Sequence, residues 1–159
     1  MIFKSKIIKS IYIFFVFFNI ILFANSENEY LYNNAKILKK AKLNSKITGT
    51  YEKDKYNVLK IIELNDNKIW FDITLYNSRN GNLGDLQGIV DIKDRIIYQK
   101  TITEYGICKF EMKIKKDKIE IETLSYGNEN KYGFECGYGH NVSNDGVYWL
   151  KSNKMPNIE

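Results

Sequence analysis

The sequence predicts an all-β domain, an antiparallel barrel or sandwich of about eight short strands, preceded by a signal peptide and a short helical or irregular lead segment. Three observations carry that expectation. Apolar and polar residues alternate with a period of two in several short runs, Asn, Asp and Gly punctuate those runs, and no long helical periodicity lies among them.

The leader is residues 1–26. Lys4, Lys6 and Lys9 precede an apolar run from Ile11 to Ala24, and Ala24 and Ser26 put small residues at the two positions a signal peptidase reads. The run has fourteen residues and is interrupted by Asn19, short of the roughly twenty a spanning helix needs. The first cysteine is Cys108, so no lipid-modified cysteine follows the leader. The expected product is exported, periplasmic or extracellular, without a stable membrane anchor after cleavage.

Taking 26 residues from 159 leaves 133, the size of one domain, which buries roughly two-thirds of its unfolded surface. Three lysines leave with the leader. The formal charge falls from +5 to +2, and the basic excess lies in residues 27–47, where five lysines face Glu27 and Glu29. A nucleic-acid partner is not expected, because residues 48–159 carry no clustered basic surface. In the lead segment 27–47, Leu31, Ala35, Leu38 and Ala41 or Lys42 recur at helical spacing, as in a short helix or a loose solvated arm.

The single β domain spans 48–159. Thr48 to Glu52 reads as the opening strand. Tyr56 to Leu64 follows, with Leu59 and Ile61 on one side and Val58, Ile62 and Leu64 on the other, so both its faces call for cover. Asn65-Asp66-Asn67 supplies a hairpin turn, because these side chains tolerate left-handed backbone. Ile69, Phe71, Ile73 and Leu75 then alternate with polar neighbours and Trp70. A polar loop at 77–85 leads to strands at 86–92 and 95–102.

The next hairpin has one wet face. Cys108, Phe110, Met112 and Ile114 alternate with Lys109, Glu111 and Lys113, and Ile119, Ile121 and Thr123 alternate with Lys118, Glu120 and Glu122. A four-residue loop, 115–118, opposes Ile114 to Ile119 and Lys113 to Glu120, and is weakly favoured over a tighter register that opposes Lys113 to Lys118. Val147 to Leu150 is the last strand. Closing such strands into a barrel removes exposed edges and leaves an interior filled by side chains or just able to hold one small ligand.

Chemistry is sparse. Two cysteines in an exported chain most simply form one disulfide, Cys108 to Cys136. A Cys136 nucleophile assisted by His140 would need a thiolate kept reduced in an oxidising compartment. One histidine and two paired cysteines cannot complete a zinc site. Asn141-x-Ser143-x-Asp145-Gly146 resembles half a calcium loop, but its twelfth position is Ser152 where a bidentate Glu is needed. No catalytic residue, metal or cofactor is expected. The loops 77–85 and 125–146 remain, with Tyr126, Tyr132, Phe134, Tyr138 and His140 as candidate binding residues; the same rings could instead cover the barrel end.

The stretches Gly49-Thr50-Tyr51, Cys108-x-Phe110 and Cys136-Gly137-Tyr138-Gly139-His140-Asn141-Val142 followed by Asp145-Gly146-x-Tyr148 carry a resemblance. Together they resemble small secreted bacterial β-rich proteins of uncharacterised function, similar to the C-terminal module of some lysozyme-inhibitor-like proteins. The resemblance implies a non-enzymatic binding or envelope-associated module with a protein partner such as a lysozyme-like enzyme. The alternative expectation is a barrel that carries a small apolar ligand.

Overall fold

The computed structural model describes residues 33–124 and 134–158. The leader, and with it the expected cleavage site, lies outside the described residues. Residues 33–40 are helical, within the expected lead segment, where Ala35, Leu38 and the lysines are good helix formers. The chain divides into two compact units, one ending at Lys39 and one running from Lys40.

The second unit is a closed antiparallel barrel of eight strands in sequence order. They are β1 (Gly49–Asp54), β2 (Asn57–Leu64), β3 (Lys68–Asn77), β4 (Asn82–Lys93), β5 (Ile96–Thr103), β6 (Gly106–Ile114), β7 (Lys118–Thr123) and β8 (Gly146–Ser152). Each strand pairs with the next, and β8 returns to β1. Four connections therefore lie at one end and three at the other. The turns β1–β2, β3–β4 and β5–β6 share one end with the long segment joining β7 to β8.

The turns follow their side chains. Asp66 and Asn67 both take positive φ, 66° and 55°, as does the pair Asp94 and Arg95 at 51° and 65°. Asp94-Arg95 is a two-residue hairpin loop between the paired Lys93 and Ile96, whose twist matches its strands, whereas Asn65 to Asn67 make a three-residue loop between the paired Leu64 and Lys68. At β6–β7 the wider register is adopted: Ile114 faces Ile119, Lys113 faces Glu120 and Glu111 faces Glu122. Lys113 offsets that last like-charge pair, with its ammonium 2.5 Å from Glu111 and 3.6 Å from Glu122.

The interior is a continuous apolar cluster. Leu59 and Ile61 of β2, Ile69, Phe71, Ile73 and Leu75 of β3, and Phe110 and Met112 of β6 are all fully buried. Phe71 meets Phe110 edge to face with ring centroids 6.1 Å apart, so large side chains occupy the axis of the barrel. The second face of β2 is covered as well, since Ile62, Leu64 and its outer-face neighbour Trp70 are buried. Part of the lead segment is tied to the barrel there. Ala41 bridges Leu64, Lys42 N–H donates to Glu63 O at 2.8 Å, and Asn65 N–H donates to Lys40 O at 2.9 Å.

Two features depart from the expected strands. The stretch 82–85, expected within a loop, opens β4, because Asn77 O accepts the N–H groups of Asn80 and Gly81 and turns the chain within a few residues. Barrel closure is also uneven. The β4–β5 ladder has only two pairs, Ile92 with Ile97 and Lys93 with Ile96, whereas β3 and β4 pair along ten positions. Beyond Ile92 the facing edges of β4 and β5 part. The inward residues Leu86, Val90 and Ile92 are only partly buried as a result. One seam of the barrel thus keeps the unpaired edges that closure was expected to remove.

Candidate functional site

Residues 134–145, which lead into β8, cross the mouth of the barrel at the end of the β1–β2, β3–β4 and β5–β6 turns. They begin with a single 3-10 turn, Phe134–Cys136. Cys136 is bonded to Cys108 of β6, with sulfurs 1.98 Å apart. Beside the bridge, Thr103 at the end of β5 donates its hydroxyl to Glu135 O at 2.6 Å. Three residues on, Gly139 N–H donates to Leu83 O of β4 at 2.9 Å. The segment therefore spans from β5 and β6 to β4, across the seam the strand ladder leaves open.

Tyr138 lies in the middle of that span and points inward. It is 2% exposed and packs on Gly84 of β4, where a Cβ would stand 2.8 Å from its ring. Only glycine at 84 admits the ring. Gly139 has the same reason for its size, as a Cβ there would stand 2.9 Å from Asn82 Cβ, while Gly137 takes φ +77°. Asn80 and Asn82 donate their side-chain N–H groups to His140 O at 3.0 and 2.7 Å, and Asn77 donates to Asn141 O at 2.7 Å. Three asparagines of the β3–β4 connection thus hold the clasp by its carbonyls.

The clasp then returns to the wall. Thr123 at the end of β7 gives its N–H and its hydroxyl to Asp145 Oδ1, both at 2.6 Å, and Lys53 of β1 donates to Asp145 O at 2.6 Å. Asp145 is therefore engaged by the fold rather than offered to a cation. Tyr148 of β8 is buried and donates its hydroxyl to Asn144 O at 3.0 Å.

These positions redistribute the expected site residues. Cys108 and Cys136 form the expected disulfide, which is compatible with an oxidising, exported location. Tyr126 and Tyr132 lie outside the described residues, and Phe134 opens the 3-10 turn. Tyr138 takes the second of the two places expected for these rings, covering the barrel end, where it is buried over Gly84. His140 is exposed and joins the network through its carbonyl.

A recess on the same rim escaped sequence reasoning. Lys53 and Asp54 of β1, Tyr76 to Arg79 at the β3–β4 turn and Asn141 to Ser143 of the clasp line a polar cleft of about 390 Å³. Its signal in the sequence is only a polar turn. The side chains converge because the Asn77 and Asn82 bonds dock that turn on the clasp.

The geometry defines the class: an eight-stranded up-and-down β-barrel whose mouth is closed by a disulfide-anchored cover. No protein-family model matches the chain, and no curated protein or solved structure matches it either.

Burial holds the Tyr138 and Tyr148 phenols above their ordinary pKa of 10.0, with nearby Tyr148, Asp85 and Asp145 adding to the first and Asp54 and Asp145 to the second. The folded protein keeps these protons where the unfolded chain releases them. Their contribution is fully present below pH 10.0 and falls as pH rises past it, so phenolate absorbance should show two tyrosines that ionise only on alkaline unfolding. The two hydroxyls differ in another respect, since that of Tyr138 has no hydrogen-bond partner among the described residues. Tyr138→Phe is expected to leave stability to urea unchanged or raised, whereas Tyr148→Phe should cost about 1 kcal/mol.

Proposed function

We propose that this is an exported, non-enzymatic binding module, periplasmic or secreted, which engages a protein partner through the β4–β6 wall of the barrel. The observation that carries this reading is the open β4–β5 seam, where two unpaired strand edges face each other. Apolar side chains flank it on the outer surface: Leu83 and Ile89 on β4, Tyr98 and Ile102 on β5, and Ile107 on β6 opposite Ile102. Ile102 is 80% exposed and Leu83 65%, a degree of exposure that a clustered apolar set shows where a partner covers it.

The polar residues of the wall are arranged in banks. Asp85 and Asp91 lie on the β4 side, while Lys100 and Lys109 face each other across β5 and β6. Such an arrangement suits an extended segment of the partner laid along the seam, with main-chain bonds for affinity and apolar side chains for specificity. A lysozyme-like enzyme is the partner class to test first, as the C-terminal motif implies. Carriage of an apolar ligand would need room inside the barrel, and there Phe71, Phe110 and Met112 fill the axis.

The test uses the mature protein against a panel of lysozyme-type enzymes and other secreted proteins, read by binding and by residual lysozyme activity. Ile89→Asp with Ile102→Asp should weaken any specific complex by at least about tenfold while leaving the melting temperature near that of the parent. A complex that survives both substitutions unchanged would place recognition elsewhere.

A further inference from the structure

The cleft between the β3–β4 turn and the clasp is lined by two cations, Lys53 and Arg79, and one carboxylate, Asp54. Arg79 reaches it with a guanidinium that makes no hydrogen bond or ion pair among the described residues. Lys53 donates its ammonium to a neutral carbonyl, Asp145 O, and its charge also favours the ionised Asp54 beside it. Asp54 is the one carboxylate of the lining, and it is already saturated from within. Its Oδ1 accepts from Tyr56 N–H, Asn57 N–H and Asn57 Nδ2 at 2.9, 3.0 and 2.8 Å, and its Oδ2 accepts from Asn57 Nδ2 at 2.7 Å. Burial opposes ionisation there, but these donors outweigh it and keep the carboxyl below its ordinary range.

The frame around the cations is fixed. Asn77 Oδ1 accepts from Arg79 N–H at 3.0 Å, its amide nitrogen donates to Asn141 O at 2.7 Å, and its carbonyl closes the turn. The backbone that presents Arg79 is therefore set before any ligand arrives, which lowers the entropic cost of binding. Hydroxyls lie beside the charge. That of Ser78 makes no bond among the described residues, and that of Ser143 accepts from Asp145 N–H while keeping its own proton to donate.

We propose that this cleft is a binding site for a small hydrophilic carboxylate, with Arg79 as the fork that grips the carboxylate and Lys53, Ser78 and Ser143 as the surrounding donors. A planar guanidinium matches a planar carboxylate through two parallel bonds. The run of backbone N–H groups at a long helix start or nest, which would favour phosphate, is not what lines this cleft. A volume of about 390 Å³ suits a ligand of one or two sugar rings or a dipeptide. The site is separate from the β4–β6 wall, and the two can fail independently.

The experiment is an amide-resonance titration of the mature protein with sodium glucuronate and with N-acetyl-glycylglycine, against glucose and inorganic phosphate. Either acid should shift the amides of Ser78, Arg79, Asn141 and Ser143. Arg79→Gln should weaken that binding by at least about tenfold, and Arg79→Lys should restore part of it. Which acid binds more tightly tells whether the carboxylate comes from a saccharide or a peptide terminus. Arg79 is exposed and its side chain bonds nothing in the fold, so both variants should keep the parent spectrum outside the cleft. No shift at millimolar acid, an equal shift with glucose, tighter binding of phosphate, or indifference to Arg79→Gln would each overturn the proposal.

Discussion

The contact between Tyr138 and Gly84, held in place by the Cys108–Cys136 bond, governs how this barrel is finished. A sheet of eight strands curls into a barrel because its inward residues are large and apolar, but curling alone does not close the ends. Here the ring of Tyr138 is lowered onto Gly84 of β4, which has no side chain to obstruct it, and a disulfide to β6 holds it on the far side of the seam. Cross-linking across a sequence separation of 28 stabilises by about 3.5 kcal/mol when it acts mainly on the unfolded chain. Here it also joins β6 to β4 around the place where the β4–β5 ladder has stopped.

That arrangement divides the surface into two kinds of terrain. Around the clasp, asparagine amides, Thr103, Thr123 and Lys53 are committed to clasp backbone and to Asp145, and the rim is rigid and polar. Along the seam β4 and β5 share only two ladder pairs, and the flanking Leu83, Ile89, Tyr98 and Ile102 are exposed. The incompletely paired wall is the feature on which the proposed partner binding rests. The cleft at the rim is a second surface of opposite character, polar and bearing Lys53, Asp54 and Arg79 in place of apolar groups.

The barrel was legible wherever local pattern carried the information. The β6–β7 register follows from matching Ile114 with Ile119 and Lys113 with Glu120, and β3 could be read from the alternation Ile69, Phe71, Ile73, Leu75. The disulfide followed from counting cysteines in a chain whose leader predicts export. What stayed hidden depends on contacts distant in sequence. Tyr138 sits in a segment without periodicity, so nothing local tells whether it faces solvent or core; its partner, Gly84, lies 54 positions earlier and resembles an ordinary loop glycine. The parting of β4 from β5 is equally silent, since both strands alternate well and the break arises from how the whole sheet closes. Arg79 looked like one charge in a polar turn until Asn77 and Asn82 were seen to dock that turn on the clasp.

Native-state hydrogen exchange on the parent and on the Cys108→Ala, Cys136→Ala double variant tests the role of the clasp most directly, because it reports local opening residue by residue. The account predicts that removing the bridge sharply lowers protection of Gly139, whose N–H is held by Leu83 O, and of the amides in the first half of β4. The β2–β3 ladder, paired along seven positions at a distance from the bridge, should keep its protection relative to the global unfolding limit. Protection that falls equally in every strand, or that stays unchanged at Gly139 and β4, would contradict the claim that this one cross-link closes the mouth and the seam.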